Sequence, residues 1–441
     1  MLKYEMYRLA KELFPICRSI TGNGVRETFR ILKREFPKLM TYEVPSGTSC
    51  FDWKIPNEWN IRDAYIKDLS GRKIIDFQKS NLHILQYSEP VHQVISLEEL
   101  NKHLYSIPEM PDAIPYKTSY YQQRWGFCLE DRERKKLSDE KYEVYIDSAL
   151  TPGFLTYGEI IFPGDFEEEI FLSTNICHPS MANNELSGPI VSLFLAKWIS
   201  ELKNRRYTYR IVFIPETIGS IFYLSKHYVE LKKKVIAGFN VVCVGDDNTY
   251  SYLPSRNGNT ISDRVAKHVL SHIDINYKTY SYLERGSDER QYCAPGIDLP
   301  IASVMRSKYA AYSEYHTSLD DLNFISPDGL WGGYNAIKKC LEIFESNVTC
   351  KNLVLAEPHL AKYNLYSTLG ASREGQRIML EGVEVKPRDI LNILAYCDGR
   401  TDLFSIANLV NLPYWKAHFL VAKLVDVNLL EEVLNRENVF P

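Results

Sequence analysis

The chain is most usefully bounded first by what it lacks. None of its 441 residues fall in an apolar run approaching the ~20 needed to span a bilayer, so no membrane partner is expected. The opening MLKYEMYRLAKELF is charged throughout, without the basic leader, apolar stretch and small-residue cleavage site of a secretory signal, and a cytoplasmic location is expected. The nine cysteines are odd in number, scattered and free of any C-x-x-C pair. That usage suits reduced thiols better than a disulfide framework. Basic excess is missing as well: 52 Lys and Arg stand against 56 Asp and Glu, for a net charge of −4 and a pI near 6.2. A nucleic-acid backbone or an anionic membrane as the main partner would select a basic surface, so neither fits. What is present, 45% apolar and 12% aromatic residues, is ample for two or three buried cores and argues against disorder.

Apolar residues at helical spacing over 4–14 and 25–36, broken by SITGNG, predict a helical hairpin. From 41 to 160 short alternating runs such as YIKDL and KYEVYIDSAL predict an inserted β-rich module, serving as a wall or lid of a cleft or as a dimer contact. Beyond 160 the texture becomes strand and helix in alternation: EIFLSTNI, SGPIVSLFLAKWISELK, YRIVFIPE, IGSIFYLSKHYVELKKK and VIAGFNVVCVGD. This predicts an α/β domain over 1–40 and 161–350 with a mixed, mostly parallel sheet, whose ligands gather at the carboxyl ends of the strands. A helix over 261–273, a strand at LPIASVM and a helix over 327–346 complete it. A linker over 351–375 then leads to a unit at 376–441, whose three helical runs predict a winged helix-turn-helix. From 375 onward seven Lys and Arg face nine Asp and Glu, so this unit is expected to meet a protein partner or a second copy of the chain rather than DNA.

Four of these runs end in groups able to bind metal or move protons: His178 in NICHPS, Glu216 in FIPETIG, Asp246 in CVGDDN and His316 in EYHTS. Imidazole and carboxylate are the donors of hydrolytic zinc sites, and the set reads as a zinc-dependent, exopeptidase-like centre. Other roles stay open for single residues. Glu216 could serve a helix N-terminus, Asp246 and Asp247 a turn, and Cys177 and Cys293 the core. Arg285 or Arg290 of ERGSDER could take a substrate carboxylate. Thirty tyrosines suit a peptide or sugar cleft, although packing accounts for most of them.

In this order HPSMANNELSG, PETIGS, VGD, GSDERQYCAPGIDLP and EYHTSLDD resemble the His, Asp, Glu, Asp and His segments of zinc aminopeptidases with the phosphorylase/hydrolase-like fold. Nearly the whole chain is similar to a bacterial aminopeptidase-like family, often associated with surface-polysaccharide gene clusters. That family joins an interrupted catalytic domain to a β-rich insert and a C-terminal winged helix. The resemblance implies His178, Asp246 and His316 as metal ligands, Glu216 as general base, and Ser287 and Asp288 in the substrate pocket. Two positions depart from it. Asn184 stands where an Asp bridges two zinc ions, which leaves it a place in the substrate pocket beside Arg290, and Thr217 stands where a second ligating Glu belongs. With Glu185 as substitute ligand, one zinc ion per chain is expected. The implied activity is that of an aminopeptidase or related amidase on a small peptide or amide. Its rival is a catalytically silent module for ligand binding or assembly.

Overall fold

The protein is described here by a computed structural model over residues 1–365 and 377–433. Two compact units emerge, Met1–Asp263 with Asn276–Ile337, and Arg264–Ile275 with Lys338–Pro441. The boundary between these units falls inside the helix Pro327–Ser346.

The first unit is built on an eight-stranded sheet in the order Met40–Pro45, Phe154–Phe162, Tyr207–Ile214, Phe166–Asn175, Val235–Asn240, Ile301–Met305, Ser251–Leu253 and Lys278–Thr279. The four strands from Tyr207–Ile214 through Ile301–Met305 run parallel, and antiparallel neighbours flank them. Their apolar runs, such as Ile170–Leu172 and Ile211–Ile214, are buried, as expected of strands covered on both faces. The helix Ser187–Glu201 is almost wholly buried, and Ile218–Lys234 buries its first turns. A Cβ on Gly188 would lie 2.4 Å from both Thr174 Oγ1 and the Val241 carbonyl oxygen, so glycine is what lets this helix start so near the strand ends.

Two expectations change. The run VIAGFNVVCVGD is a strand only as far as Asn240. Past it Cys243 adopts a left-handed φ of 52°, and the chain turns to donate from Val244 N–H to Ser187 Oγ and from Gly245 N–H to Asn183 Oδ1. A continuous apolar run does not separate a buried strand from a buried loop. The insert also lends its edges to the main sheet, where Met40–Pro45 pairs with Phe154–Phe162. What remains of it is a four-stranded antiparallel sheet, Lys73–Asp76, Glu58–Asp68, Lys141–Thr151 and Val91–Ser96, within the same compact unit.

In the second unit Thr349–Asn352, which straddles the end of the expected α/β domain and the start of the expected linker, is the central strand of a three-stranded sheet with Asp398–Asp402 and Leu430–Glu432. Helices Pro387–Tyr396, Leu403–Leu409 and Tyr414–Asp426 join it as a winged helix-turn-helix, with Ile378–Leu380 and Val383–Val385 paired as a hairpin. Residues 366–375 of the expected linker, and residues 376 and 434–441 of the expected winged-helix unit, lie outside the described residues. Among the described residues no helix is long and apolar enough to cross a membrane.

Candidate active site

Beyond Asn175 the chain leaves the sheet as Ile176–Cys177–His178, and a short π-helix, Ala182–Leu186, follows. The wider π turn places Glu185 back over the residues that precede it. Its carboxylate accepts the Cys177 N–H at one oxygen and lies 2.6 Å from His178 Nδ1 at the other. Both residues are nearly inaccessible, at 4% for His178 and 1% for Glu185. Burial works against a charged His178 ring, but the adjacent Cys177 sulfur, followed by the Glu185 carboxylate, outweighs it and lifts the pKa above that of an ordinary histidine. Arg18 lies fully buried beneath, donating from Nε to the His178 carbonyl at 2.9 Å and from Nη1 to that of Leu13 at 2.8 Å. Asp320 holds the start of the π-helix by accepting the N–H groups of Ala182, Asn183 and Asn184. Its carboxyl pKa is raised to about 6 by burial.

Glu216 follows the strand Tyr207–Ile214, donates its N–H to Cys177 Sγ at 3.3 Å and sets Oε2 3.6 Å from His178 Nε2. Burial raises its pKa, against the lowering influence of His178 and Arg290. The next residue, Thr217, is held in a strained backbone conformation at φ 67°. Its N–H donates to Asp288 Oδ1 at 2.8 Å, and its Oγ1 accepts from Arg290 Nη2 at 2.5 Å. Asp288 thus secures the entry to the helix Ile218–Lys234, accepting Ser220 Oγ–H as well, and burial followed by the neighbouring Glu216 lifts its pKa to about 7. Ser287 stays beneath the surface and accepts from Asn175 Nδ2 at 3.2 Å.

His316 is a second left-handed residue, at φ 56°, with its ring stacked on Tyr315 at 3.9 Å. Its Nε2 is buried without a hydrogen-bond partner among the described residues. Burial, then the neighbouring His178, pushes its pKa down to about 2, so the ring is neutral. The His178 and His316 rings are 5.4 Å apart, and Tyr116 of the insert closes a trio at 5.0 and 5.1 Å. The insert is tied to this loop by Tyr116 N–H to the His316 carbonyl and by two bonds between Ile114 and Ser318. His178, Glu216, His316 and Arg290 line a cavity of about 290 Å³ whose other wall comes from the insert, through Trp53, Tyr116, Tyr120 and Tyr121.

Asp246, expected as a ligand, stands outside this lining. Its carboxylate accepts from Asn183 Nδ2, Asn248 N–H, Ser307 N–H and Ser307 Oγ–H at 2.8 to 3.0 Å, and it is 0% exposed. The left-handed step at Cys243 turns it into this loop network instead of toward the histidines. Glu185 is likewise repositioned, behind His178 at Nδ1 and not on the cavity wall. Of the expected substrate residues, Arg290 lines the cavity, whereas Asn184, Ser287 and Asp288 lie behind it. Arg18, Tyr116 and Asp320 were not expected: the first two stand in segments without metal-site spacing, and Asp320 is one of two adjacent acids in SLDDL.

Cys177, His178 and Glu185 offer donor atoms within 4.8 Å of one another. Nδ1 and the carboxylate are already bound to each other, and burial lifts the thiol to about 12, so this trio reads as a support. The nitrogens left for a cation are His178 Nε2 and the orphaned His316 Nε2.

A family profile described as a domain of unknown function, DUF4910, matches residues 7–347, and a winged helix-turn-helix profile matches 348–432. A Clostridium acetobutylicum protein, named as a candidate polysaccharide biosynthesis protein with an aminopeptidase-like domain, is 42% identical over 97% of this chain and 96% of its own. The crystal structure of a candidate peptidase from Clostridium acetobutylicum superposes with a TM-score of 0.88 at 41% identity, covering 98% of this chain and 96% of that one. A zinc aminopeptidase from Bacillus subtilis has the same fold at a TM-score of 0.57 and 11% identity, over 77% of this chain and 94% of its own. With its first 347 residues matched almost throughout and a relative aligned over 97% of its length, the chain belongs to the DUF4910 family of aminopeptidase-like fold with a C-terminal winged helix.

Proposed function

We propose that the cavity is the active site of a zinc-dependent hydrolase, an aminopeptidase or related amidase, that cleaves a small peptide or amide in the cytoplasm in the service of surface-polysaccharide biosynthesis. The observation that carries the reading is the meeting of the buried His178 ring and the half-buried His316 ring with the Glu216 carboxylate on one cavity wall. The name of the Clostridium relative supports the same direction. The donor chemistry fits one cation, which His178 and His316 would hold through their Nε2 atoms, with Glu185 orienting His178 from behind as carboxylates orient metal-bound histidines. Zinc bound there would polarise the substrate carbonyl and make a water acidic near neutral pH. A second cation finds no bridging anion, because Asn184 and Thr217 are neutral and Asp246 is engaged elsewhere.

The chain's own share is proton handling and enclosure. Glu216, made more basic by burial, takes a proton from the attacking water and returns it to the departing nitrogen. Asp288 and Thr217 fix the turn that aims it. Tyr116 and Tyr120, joined at 2.7 Å through their hydroxyls, keep bulk water from the insert side. A second reading, a silent module that binds a ligand in the cleft and a protein partner or second copy through its winged helix, is favoured by the withdrawal of Asp246 into its loop. Zinc content measured beside hydrolysis of a panel of aminoacyl, peptidyl and acetamido substrates separates the two. The hydrolase reading expects turnover with zinc that Glu216→Gln removes; metal-free protein inert on every substrate would favour the silent module.

A further inference from the structure

We infer that the substrate is an N-acylated sugar acid, with Arg290 receiving a carboxylate near the scissile amide and Trp53 and Tyr121 holding the sugar ring. The inference rests on the hydrolase reading of the cavity and names its substrate class.

Arg290 lies on the short helix Glu289–Tyr292 and reaches the cavity wall, where Nη2 donates to Thr217 Oγ1. Its Nε is buried without a partner, and among the described residues no carboxylate lies within 4.0 Å of its guanidinium. Arg210, a buried guanidinium on the strand Tyr207–Ile214, is by contrast bonded twice to Glu169, at 2.6 and 2.9 Å. A guanidinium stays charged under any working condition, and one walled by aromatic rings gains most from a planar oxyanion that accepts its parallel N–H groups. Recognition of a free substrate amine would instead require an acid on the wall. Glu216 is the one lining carboxylate, and it is committed to proton transfer. The cavity is therefore selective for an anion.

The mouth adds the second element. Trp53 and Tyr121 are 39% and 55% exposed, and their rings meet edge to face at 5.5 Å. Large exposed aromatics beside a cavity offer flat apolar faces at little conformational cost, a match for the C–H face of a pyranose. Amino-acid amides would use the carboxylate site without this rim.

The test is calorimetric titration of the zinc-supplied protein with two matched pairs, N-acetylmuramic acid against N-acetylglucosamine and N-acetylalanine against N-acetylalaninamide. Each acid should bind at least about tenfold more tightly than its neutral partner, as expected for a charge-assisted pair. Arg290→Gln should abolish that preference and Arg290→Lys retain part of it. Trp53→Ala should weaken N-acetylmuramic acid while leaving N-acetylalanine unchanged. Equal affinities within each pair in the unaltered protein, or a preference that survives Arg290→Gln, would overturn the anion site. Indifference of N-acetylmuramic acid to Trp53→Ala would overturn the sugar assignment. Acid binding that depends on Arg290 without turnover of any probe would remove the hydrolase reading while sustaining the anion site.

Discussion

Glu216 and Asp246 both follow strands of one parallel sheet, and both stand where such folds collect ligands, yet they have opposite environments. The carboxylate of Glu216 reaches the cavity, with His178 Nε2 at 3.6 Å. The carboxylate of Asp246 is saturated by four donors from Asn183, Asn248 and Ser307. Their difference is one of accounting for lone pairs. An acid whose acceptor sites are filled by its own loop holds structure together, whereas an acid left short of partners is free to act on something else. The same contrast separates the two ring nitrogens of His178, Nδ1 bonded to Glu185 at 2.6 Å and Nε2 facing the Glu216 carboxylate at 3.6 Å.

Neutralising each acid in turn should have very different consequences. Glu216→Gln should leave the protein folded and lower hydrolysis by roughly a hundred- to ten-thousandfold, the usual share of a general base. His178→Ala and His316→Ala should each abolish stoichiometric zinc, read by elemental analysis of dialysed protein. Asp246→Ala should act on stability, costing about 3 kcal/mol in urea denaturation because four interior donors lose their acceptor. Asp246→Asn should leave zinc content per folded chain unchanged; a zinc-free Asp246→Asn protein would return this residue to the ligand set.

This contrast also marks where sequence reading succeeds and stops. The helices expected over 261–273 and 327–346 match Ile261–Ile273 and Pro327–Ser346, because amphipathic spacing and the Pro at 327 are local signals. His178, Glu216 and His316 were legible as site residues because each interrupts an apolar run with a polar turn, and the cavity gathers all three. Asp246 was misplaced because VVCVGD reads identically as strand or buried loop, and the deciding left-handed residue is a cysteine, which carries no turn signal. Glu185, expected as a substitute ligand, stands instead behind His178 at Nδ1, since the register of a π turn has no sequence signature. Tyr116 arrives from an insert about 60 residues upstream of His178, a contact that no periodicity encodes.

A third acid couples the stability of the fold to pH. Asp320 resembles Asp246 in being filled by donors, but burial dominates and its pKa stands at about 6 against an ordinary value of 3.8. Between those two values the folded chain binds the proton more than the unfolded chain does, so this group makes stability fall as pH rises from about 4 to 6. Asp320→Asn should remove up to about 2 kcal/mol of that decline, visible as a flatter stability profile in urea melts across the interval. A profile as steep as that of the unaltered protein would assign the decline to other groups.

The smallest effect is expected where an anion is added. Asn184 occupies the position at which the zinc aminopeptidase pattern places a bridging Asp, so Asn184→Asp restores one of the charges that a second cation needs. Its surroundings work against the gain. The Asn184 N–H is already held by Asp320 Oδ2 at 2.9 Å, the next residue is the buried Glu185, and residue 184 itself is only 6% exposed. A third carboxylate there adds repulsion and a desolvation cost before any metal arrives. Thr217 still contributes no charge, and Asp246 still points into its loop. Titration of zinc into Asn184→Asp should therefore show a second equivalent strengthened by less than about tenfold, with the first unchanged. A tight second equivalent would mean that the Asp246 network opens when metal binds, and the division drawn between Glu216 and Asp246 would then hold only for the metal-free chain.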